Sequence, residues 1–232
     1  MKEVLKIRNL WKIYDLNTVI QDVNLTISEG KIIGLVGANS SGKTTLLKMI
    51  SGLRFPSKGS ITIEDKKVEL GTKEIVSFMP DNPVFEEWMT VKDSLLFYRD
   101  MYTDFNLQQA MDSIVVFKIP LEENINILSK GIKGILQLIL TFSRKAKLYV
   151  LDEPLGKVDL TTRKDILNLI LNFYREDSTI LISTHLIEEI EDIFDEVIFM
   201  KEGGIVLHEN VEVIRSCHGK AVHELFKEVF EK

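Results

Sequence analysis

The residues best equipped for chemistry form one stretch, Gly37-Ala38-Asn39-Ser40-Ser41-Gly42-Lys43-Thr44-Thr45, which fits the pattern G-x-x-x-x-G-K-[ST] without a mismatch. A phosphate chain carries several negative charges and needs many donors at close range. Gly37 and Gly42 let the backbone turn tightly and approach the oxygens with no Cβ in the way. Successive N–H groups at Asn39, Ser40 and Ser41 then form an anion nest, and the helix starting near Lys43 adds unpaired N–H groups at its N-terminus. Lys43 is placed to reach the β- and γ-phosphates, the Thr44 hydroxyl to bind Mg²⁺, and Thr45 to extend the donor set.

Three later features carry further chemistry. Leu148-Tyr149-Val150-Leu151 reads as a buried strand ending in Asp152-Glu153-Pro154. Adjacent carboxylates at such an end suit two roles, Asp152 holding Mg²⁺ and Glu153 deprotonating a water; taken alone, they also fit an acidic turn. Leu128-Ser129-Lys130-Gly131-Ile132 precedes a helix that runs to Ser143, so Ser129 and the Gly131 backbone form either an anion site or an ordinary cap. Ser183-Thr184-His185 follows a strand, and His185 is either structural or a donor to a terminal phosphate.

The elements needed to hold these groups are legible. Ile32-Ile33-Gly34-Leu35-Val36 gives a strand into the loop, and Leu46-Leu47-Lys48-Met49-Ile50 a helix out of it, stopped near Gly52. Strand signals recur at Val4–Tyr14, Val23–Ile27, Ser60–Ile63, Ile75–Met79, Thr179–Ser183 and the hairpin Glu196–Met200/Gly203–Leu207. Helical spacing covers Thr90 to Phe117 in two helices, Thr162 to Tyr174, and a tail through Val222, Leu225, Phe226, Val229 and Phe230. The acidic run Glu188-Glu189-Ile190-Glu191-Asp192 reads as a solvated helix face. Alternating strands and helices indicate an α/β fold with a mostly parallel sheet, preceded by antiparallel strands and interrupted by a helical insertion.

Composition narrows the function classes. The chain has 232 residues, 45% of them hydrophobic, enough for one domain with subdomains. Its net charge of −6 gives no reason to expect a nucleic-acid partner. Cys217 is the single cysteine, so no disulfide framework exists, and its spacing to His208, His218 and His223 matches no metal site. No apolar run approaches the roughly 18 residues that span a bilayer, and the N-terminus lacks a signal-peptide core. A cytosolic chain is expected, tethered to a membrane only through a partner.

Taken in order, the motifs resemble those of the ATP-binding cassette (ABC) family over nearly the whole chain. Gly37–Thr44 resembles its Walker A motif, Leu148–Glu153 Walker B with the catalytic glutamate, and Leu128-Ser129-Lys130-Gly131 the signature. Asp159 closes a segment like the D-loop, His185 matches the switch histidine, and Tyr14 fits the aromatic that stacks on adenine. The resemblance implies a P-loop NTPase core at about 1–82 and 145–232, with a helical subdomain at about 83–144. It implies ATP and Mg²⁺ as cofactors, and a catalytic set of Lys43, Glu153 and His185. It further implies a second ATPase subunit, identical or different, closing head to tail so that each ATP lies between one phosphate loop and the other signature. Separate transmembrane permease subunits would be driven by that closure, with the cassette peripheral on the cytoplasmic face of the membrane.

This chain departs from the family pattern at several points. Pro80-Asp81-Asn82 stands where a glutamine is usual, and Asp81 could contact Mg²⁺ or water instead. Lys130 replaces a signature glycine and Ile132 its glutamine, and Leu155-Gly156-Lys157-Val158-Asp159 lacks the usual D-loop serine. The Leu-Ser-Lys-Gly signature and the absence of an extra C-terminal regulatory domain favour an export-type motor. The alternative is a soluble ABC ATPase working on nucleic acid or ribosomes, against which stand the single cassette, the lack of a coiled-coil insertion and the acidic charge. Glu153 and His185 argue against a non-hydrolysing regulator. Phe85-Glu86-Glu87-Trp88 is the expected contact for a membrane partner.

Overall fold

A computed structural model of the chain describes residues 2–82, 85–156 and 158–230. Pro83, in the segment after Asp81, and Lys157, in the D-loop-like segment, lie outside the described residues. In chain order the strands and helices are β1 (Glu3–Tyr14), β2 (Asn17–Ser28), β3 (Ile32–Val36), α1 (Lys43–Ile50), β4 (Lys58–Ile63), β5 (Lys66–Lys67) and β6 (Val76–Met79). They continue with α2 (Val91–Met101), α3 (Leu107–Val116), α4 (Lys130–Phe142), β7 (Leu148–Asp152), α5 (Leu160–Phe173), β8 (Thr179–Thr184), β9 (Glu196–Lys201), β10 (Gly204–Asn210), α6 (Val211–His218) and α7 (Val222–Phe230).

Two sheets result. One is antiparallel, in the order β2-β1-β4-β5; the other has six strands, β10-β9-β3-β8-β7-β6, parallel except for β10. β3, β7 and β8 are buried at every residue, which is why their sequences are continuous apolar runs rather than alternations. Alternate side chains feed two cores. Ile33, Leu35, Leu148 and Val150 pack toward α1 and the antiparallel sheet, while Ile32, Val36, Tyr149 and Leu151 pack toward the helices beyond.

Three local outcomes differ from the sequence reading. β2 begins at Asn17, well before the alternation at Val23, because Gln21 and Asp22 put polar, exposed side chains into its first half. The hairpin turns at Asp15-Leu16, with Asp15 at φ 51°, a left-handed conformation that Asp tolerates better than most residues. Helix α6 is an addition that the sequence reading lacks; its N-cap is Asn210, whose Oδ1 accepts from Glu212 N at 2.8 Å.

The third difference is the acidic run. It is not a solvated α-helix but two 3₁₀ turns, Ile187–Glu189 and Glu191–Ile193. Glu191 is buried and accepts from the backbone N–H of His223 at 2.9 Å, with His223 Nδ1 2.8 Å from its other oxygen. Glu189 bonds Arg163 and Glu188 bonds Lys227, so each carboxylate is tied to a neighbouring element. Helix α2 matches expectation closely: Thr90 Oγ1 accepts from Asp93 N at 3.1 Å, and the Asp93 carboxylate accepts from Thr90 N at 2.9 Å.

Candidate active site

Strand order decides where the chemistry converges. β3, β8, β7 and β6 are successive neighbours, so their C-terminal ends share one edge. That edge presents the phosphate loop from β3, Ser183-Thr184-His185 from β8, Asp152-Glu153 from β7 and Pro80-Asp81 from β6, where α/β sheets bind ligands. A cleft of about 650 Å³ opens there. Its walls include Asn39, Ser40, Ser41, Gly42, Lys43, Thr44 and Thr45 on one side, and Asp81, Glu153, Gly156 and His185 on the other.

The loop needs its glycines. Gly42 sits at φ 105°, and a Cβ on Gly37 would lie 2.4 Å from the Met200 carbonyl oxygen and 2.6 Å from Ser41 Oγ. Lys43 is buried; its ammonium donates to the Gly37 carbonyl at 2.7 Å and the Ala38 carbonyl at 3.1 Å, and lies 3.7 Å from Glu153 Oε1. Burial pushes the Lys43 pKa down, opposed by the Glu153 and Asp152 carboxylates.

Asp152 is almost fully buried, yet only one oxygen is used. Oδ1 accepts from Thr44 Oγ1 at 3.1 Å and from Ser183 Oγ at 2.6 Å, while Oδ2 has no hydrogen-bond partner among the described residues. An unsatisfied buried carboxylate oxygen is costly, and beside a threonine hydroxyl it forms a hard, oxygen-only donor set that fits Mg²⁺. Ser41 Oγ is likewise buried without a partner, facing the loop.

Glu153 adopts φ 51°, an uncommon conformation for a residue with a side chain. Its backbone N–H reaches the Ser183 hydroxyl at 3.0 Å and the Ser183 carbonyl at 3.1 Å. His185 Nδ1 is 2.8 Å from Glu153 Oε2, and the His185 N–H reaches the same oxygen at 3.3 Å. Lys43, Glu153 and His185 therefore form a connected polar chain across the cleft.

The remaining candidates lie elsewhere. Tyr14 closes the β1–β2 hairpin, 38% exposed, with Lys12 Nζ 4.7 Å from its ring centre; Val19 of β2 is the hairpin residue on the cleft wall. Ser129 caps α4, its Oγ accepting from Ile132 N at 3.3 Å, and neither Ser129 nor Gly131 lines the cleft of its own chain. Gly131 is buried because a Cβ there would lie 2.8 Å from Thr162 Oγ1 of α5. Asp159 caps α5, accepting from Thr161 N and Thr162 N at 3.0 Å, and these bonds hold its pKa down. Among the described residues no cluster of ligating side chains around Cys217 forms a metal site.

Sequence reasoning gave Ser183 no role, although it fixes both Asp152 and Glu153. The sequence shows only that β7 and β8 are both buried runs; the parallel pairing that sets Asp152 opposite Ser183 comes from the strand order.

Residues 20–156 match the family model of ABC transporters. The chain belongs to the ABC transporter family. It is similar to the ABC transporter ATP-binding protein YtrB of Bacillus subtilis, with 34% identity over 206 residues, 87% of this chain and 70% of YtrB. It is also similar to the lantibiotic transport ATP-binding protein SrtF of Streptococcus pyogenes, 28% identical over 212 residues, 90% of this chain and 92% of SrtF. The solved structure of an ATP binding subunit of an ABC transporter superposes with a TM-score of 0.88 at 24% identity, covering 97% of this chain and 99% of that one. A dimeric ATP-binding cassette in a post-hydrolysis state with ADP and Pi gives 0.78 at 21% identity, covering 89% of this chain and 98% of that one. These superpositions establish the P-loop NTPase fold, and family membership makes the chain an ABC ATPase. No helix among the described residues is long and apolar enough to cross a membrane.

Proposed function

We propose that the chain is the motor subunit of an export-type transporter, hydrolysing ATP at a site completed by a second cassette. The observation that carries the reading is the meeting of the phosphate loop, Glu153 and His185 in one cleft, with Asp152 hydrogen-bonded to the loop through Thr44. ATP enters with its phosphates on the loop N–H groups of Gly37–Thr45, and Lys43 exchanges the Gly37 and Ala38 carbonyls for the β- and γ-phosphate oxygens. Thr44 and Asp152 would hold Mg²⁺, and Asp81 lines the same cleft; the ion would supply neutralisation of the phosphate charge. Glu153 takes a proton from the water that attacks the γ-phosphorus as the bond to the bridging oxygen breaks. His185 positions Glu153 at rest and donates to the γ-phosphate in the loaded site. Tyr14 is the adenine-stacking candidate, supported by its place on the β1–β2 hairpin that reaches the cleft wall through Val19.

Ser129 and Gly131 act on the ATP of the partner cassette. Their absence from the lining of their own cleft supports this, since each would otherwise contribute only a helix start. The helices between about residues 85 and 144 are read as the helical subdomain that carries them, and Lys130 adds a positive charge beside the shared nucleotide. Trp88, Phe97 and Met101, all exposed on or before α2, support a permease contact in the segment opened by Phe85. The cassette is then peripheral on the cytoplasmic face. The Leu-Ser-Lys-Gly signature supports export, and the likeness to the lantibiotic transport ATP-binding protein SrtF supports a transport role.

Mixing two dead variants tests the composite site. Lys43→Ala removes nucleotide binding, and Ser129→Arg blocks the trans contact. If the site is shared, each alone is inactive, while a mixture regains part of the activity because one interface combines an intact loop with an intact Ser129. A mixture as inactive as its components would sink the shared-site reading for a homodimer.

A further inference from the structure

Arg144 is a buried, charged side chain that the hydrolytic chemistry does not use. It follows α4 directly, at the end opposite Ser129. Its guanidinium engages two parts of the molecule at once. On the core side, Nη1 donates to the Val76 carbonyl at 3.0 Å, and Nη2 to the Lys73 and Glu74 carbonyls at 3.1 and 3.2 Å. On the helical side, Nε and Nη2 donate to the two Asp104 oxygens at 3.2 and 3.3 Å, and the guanidinium lies 3.9 Å from the Tyr102 ring centre. A planar fork with five N–H groups and a stacking face can serve both sides; an ammonium cannot.

The backbone around it is tied in the same way. Lys145 N donates to Asp104 Oδ2 at 3.1 Å, Asn106 N to the Ser143 carbonyl at 2.7 Å, and Tyr149 OH to the Arg144 carbonyl at 2.6 Å. The α2–α3 link, the C-terminal end of α4, the root of β6 and the start of β7 are thus joined at one node. Two of the segments that contribute to a shared site radiate from it. β6 leads to Asp81, and α4 leads back to Ser129.

We infer that Arg144, with Asp104, is a positioning residue that fixes the angle at which α4 presents Ser129 to the partner's nucleotide. The inference rests on the shared-site reading above. The lever is long: 13 residues at about 1.5 Å each span about 20 Å, so a swing of about 10° at Arg144 moves Ser129 by about 3 Å. A misplacement of about 1 Å in a catalytic contact can cost about 10²-fold in rate. Small angular freedom at the node therefore has a large effect at the far end.

The test uses the full chain with Cys217 replaced by serine and spin labels on cysteines at Ile127, beside the start of α4, and Lys66, on β5. Arg144→Met is the direct variant. Asp104→Asn, which removes one charge at a partly exposed position, retains the fold if Arg144→Met does not. Arg144→Lys, the conservative change, is expected not to restore wild-type behaviour. Expected for Asp104→Asn are a broadened label–label distance distribution, ATP affinity of the single chain within about 2-fold of wild type, and steady-state turnover down at least 10-fold. A merely structural role would lower thermal stability without splitting binding from turnover. An unchanged distance distribution overturns the joint itself. A broadened distribution with unchanged turnover overturns the link to Ser129 and places the failure in the shared-site reading, which the mixed-variant assay checks independently.

Discussion

Replacing Glu153 by Gln separates catalysis from binding more cleanly than any other single change. Glutamine keeps the shape, so the backbone contacts to Ser183 at 3.0 and 3.1 Å survive, and its carbonyl can still face His185. What disappears is a proton acceptor. General-base catalysis contributes about 10²–10⁴ in rate, or about 3–5 kcal/mol of barrier, and turnover should fall by that factor. Binding should not fall with it. The lost carboxylate lies 3.7 Å from Lys43 Nζ, in the region a γ-phosphate approaches, so its removal relieves repulsion of the incoming anion, and Lys43 stays held by its loop carbonyls until the phosphates replace them. The assay pairs phosphate release at saturating ATP with titration of a fluorescent ATP analogue and gel filtration in Mg·ATP. The variant should bind ATP at least as tightly as wild type and accumulate as a closed dimer. Turnover within about 3-fold of wild type would refute the base assignment, and a parallel loss of binding would show that Glu153 acts through structure instead.

Gly37→Ala should weaken ATP binding by about 10²-fold with the fold retained, since the new Cβ meets the Met200 carbonyl at 2.4 Å and the loop must shift; equilibrium titration and circular dichroism check it. Burial places the Lys43 pKa below the ordinary lysine value, so ATP affinity is highest while the ammonium is charged and declines as pH rises through that lowered pKa. Binding near that pH takes up protons, seen as a buffer-dependent enthalpy, and in Glu153→Gln the decline begins at lower pH because a carboxylate that favours the charged form is gone. For the free protein the sign is opposite. The unfolded chain holds this proton more tightly, so the Lys43 contribution to stability rises with pH between the folded and unfolded values. Trp88→Asp should leave the ATPase activity of the isolated chain within about 2-fold while removing its co-sedimentation with membranes of the producing cell, because Trp88 is exposed and is not among the residues lining the cleft.

Local rules carried much of the site into the sequence. Gly37 and Gly42 are legible because only glycine fits the space at Gly37 and the φ of 105° at Gly42, and Lys43 and Thr44 follow at fixed offsets on the helix that the loop starts. Asp152, Glu153 and His185 are legible because a buried parallel strand ends where its apolar run ends. The capping pair at Thr90 and Asp93 is local in the same sense. Strand order is not local. That β8 lies between β3 and β7 brings Ser183 beside Asp152, occupying Oδ1 and leaving Oδ2 bare and buried, and no spacing in the chain encodes that neighbour. The acidic run misled because charge density indicates solvent only until other elements supply partners; Arg163, His223 and Lys227 come from α5 and α7. Arg144 is the extreme case. In sequence it is one basic residue after a helix, and its partners lie 40 and about 70 positions away, so its role exists only once the chain has closed around it.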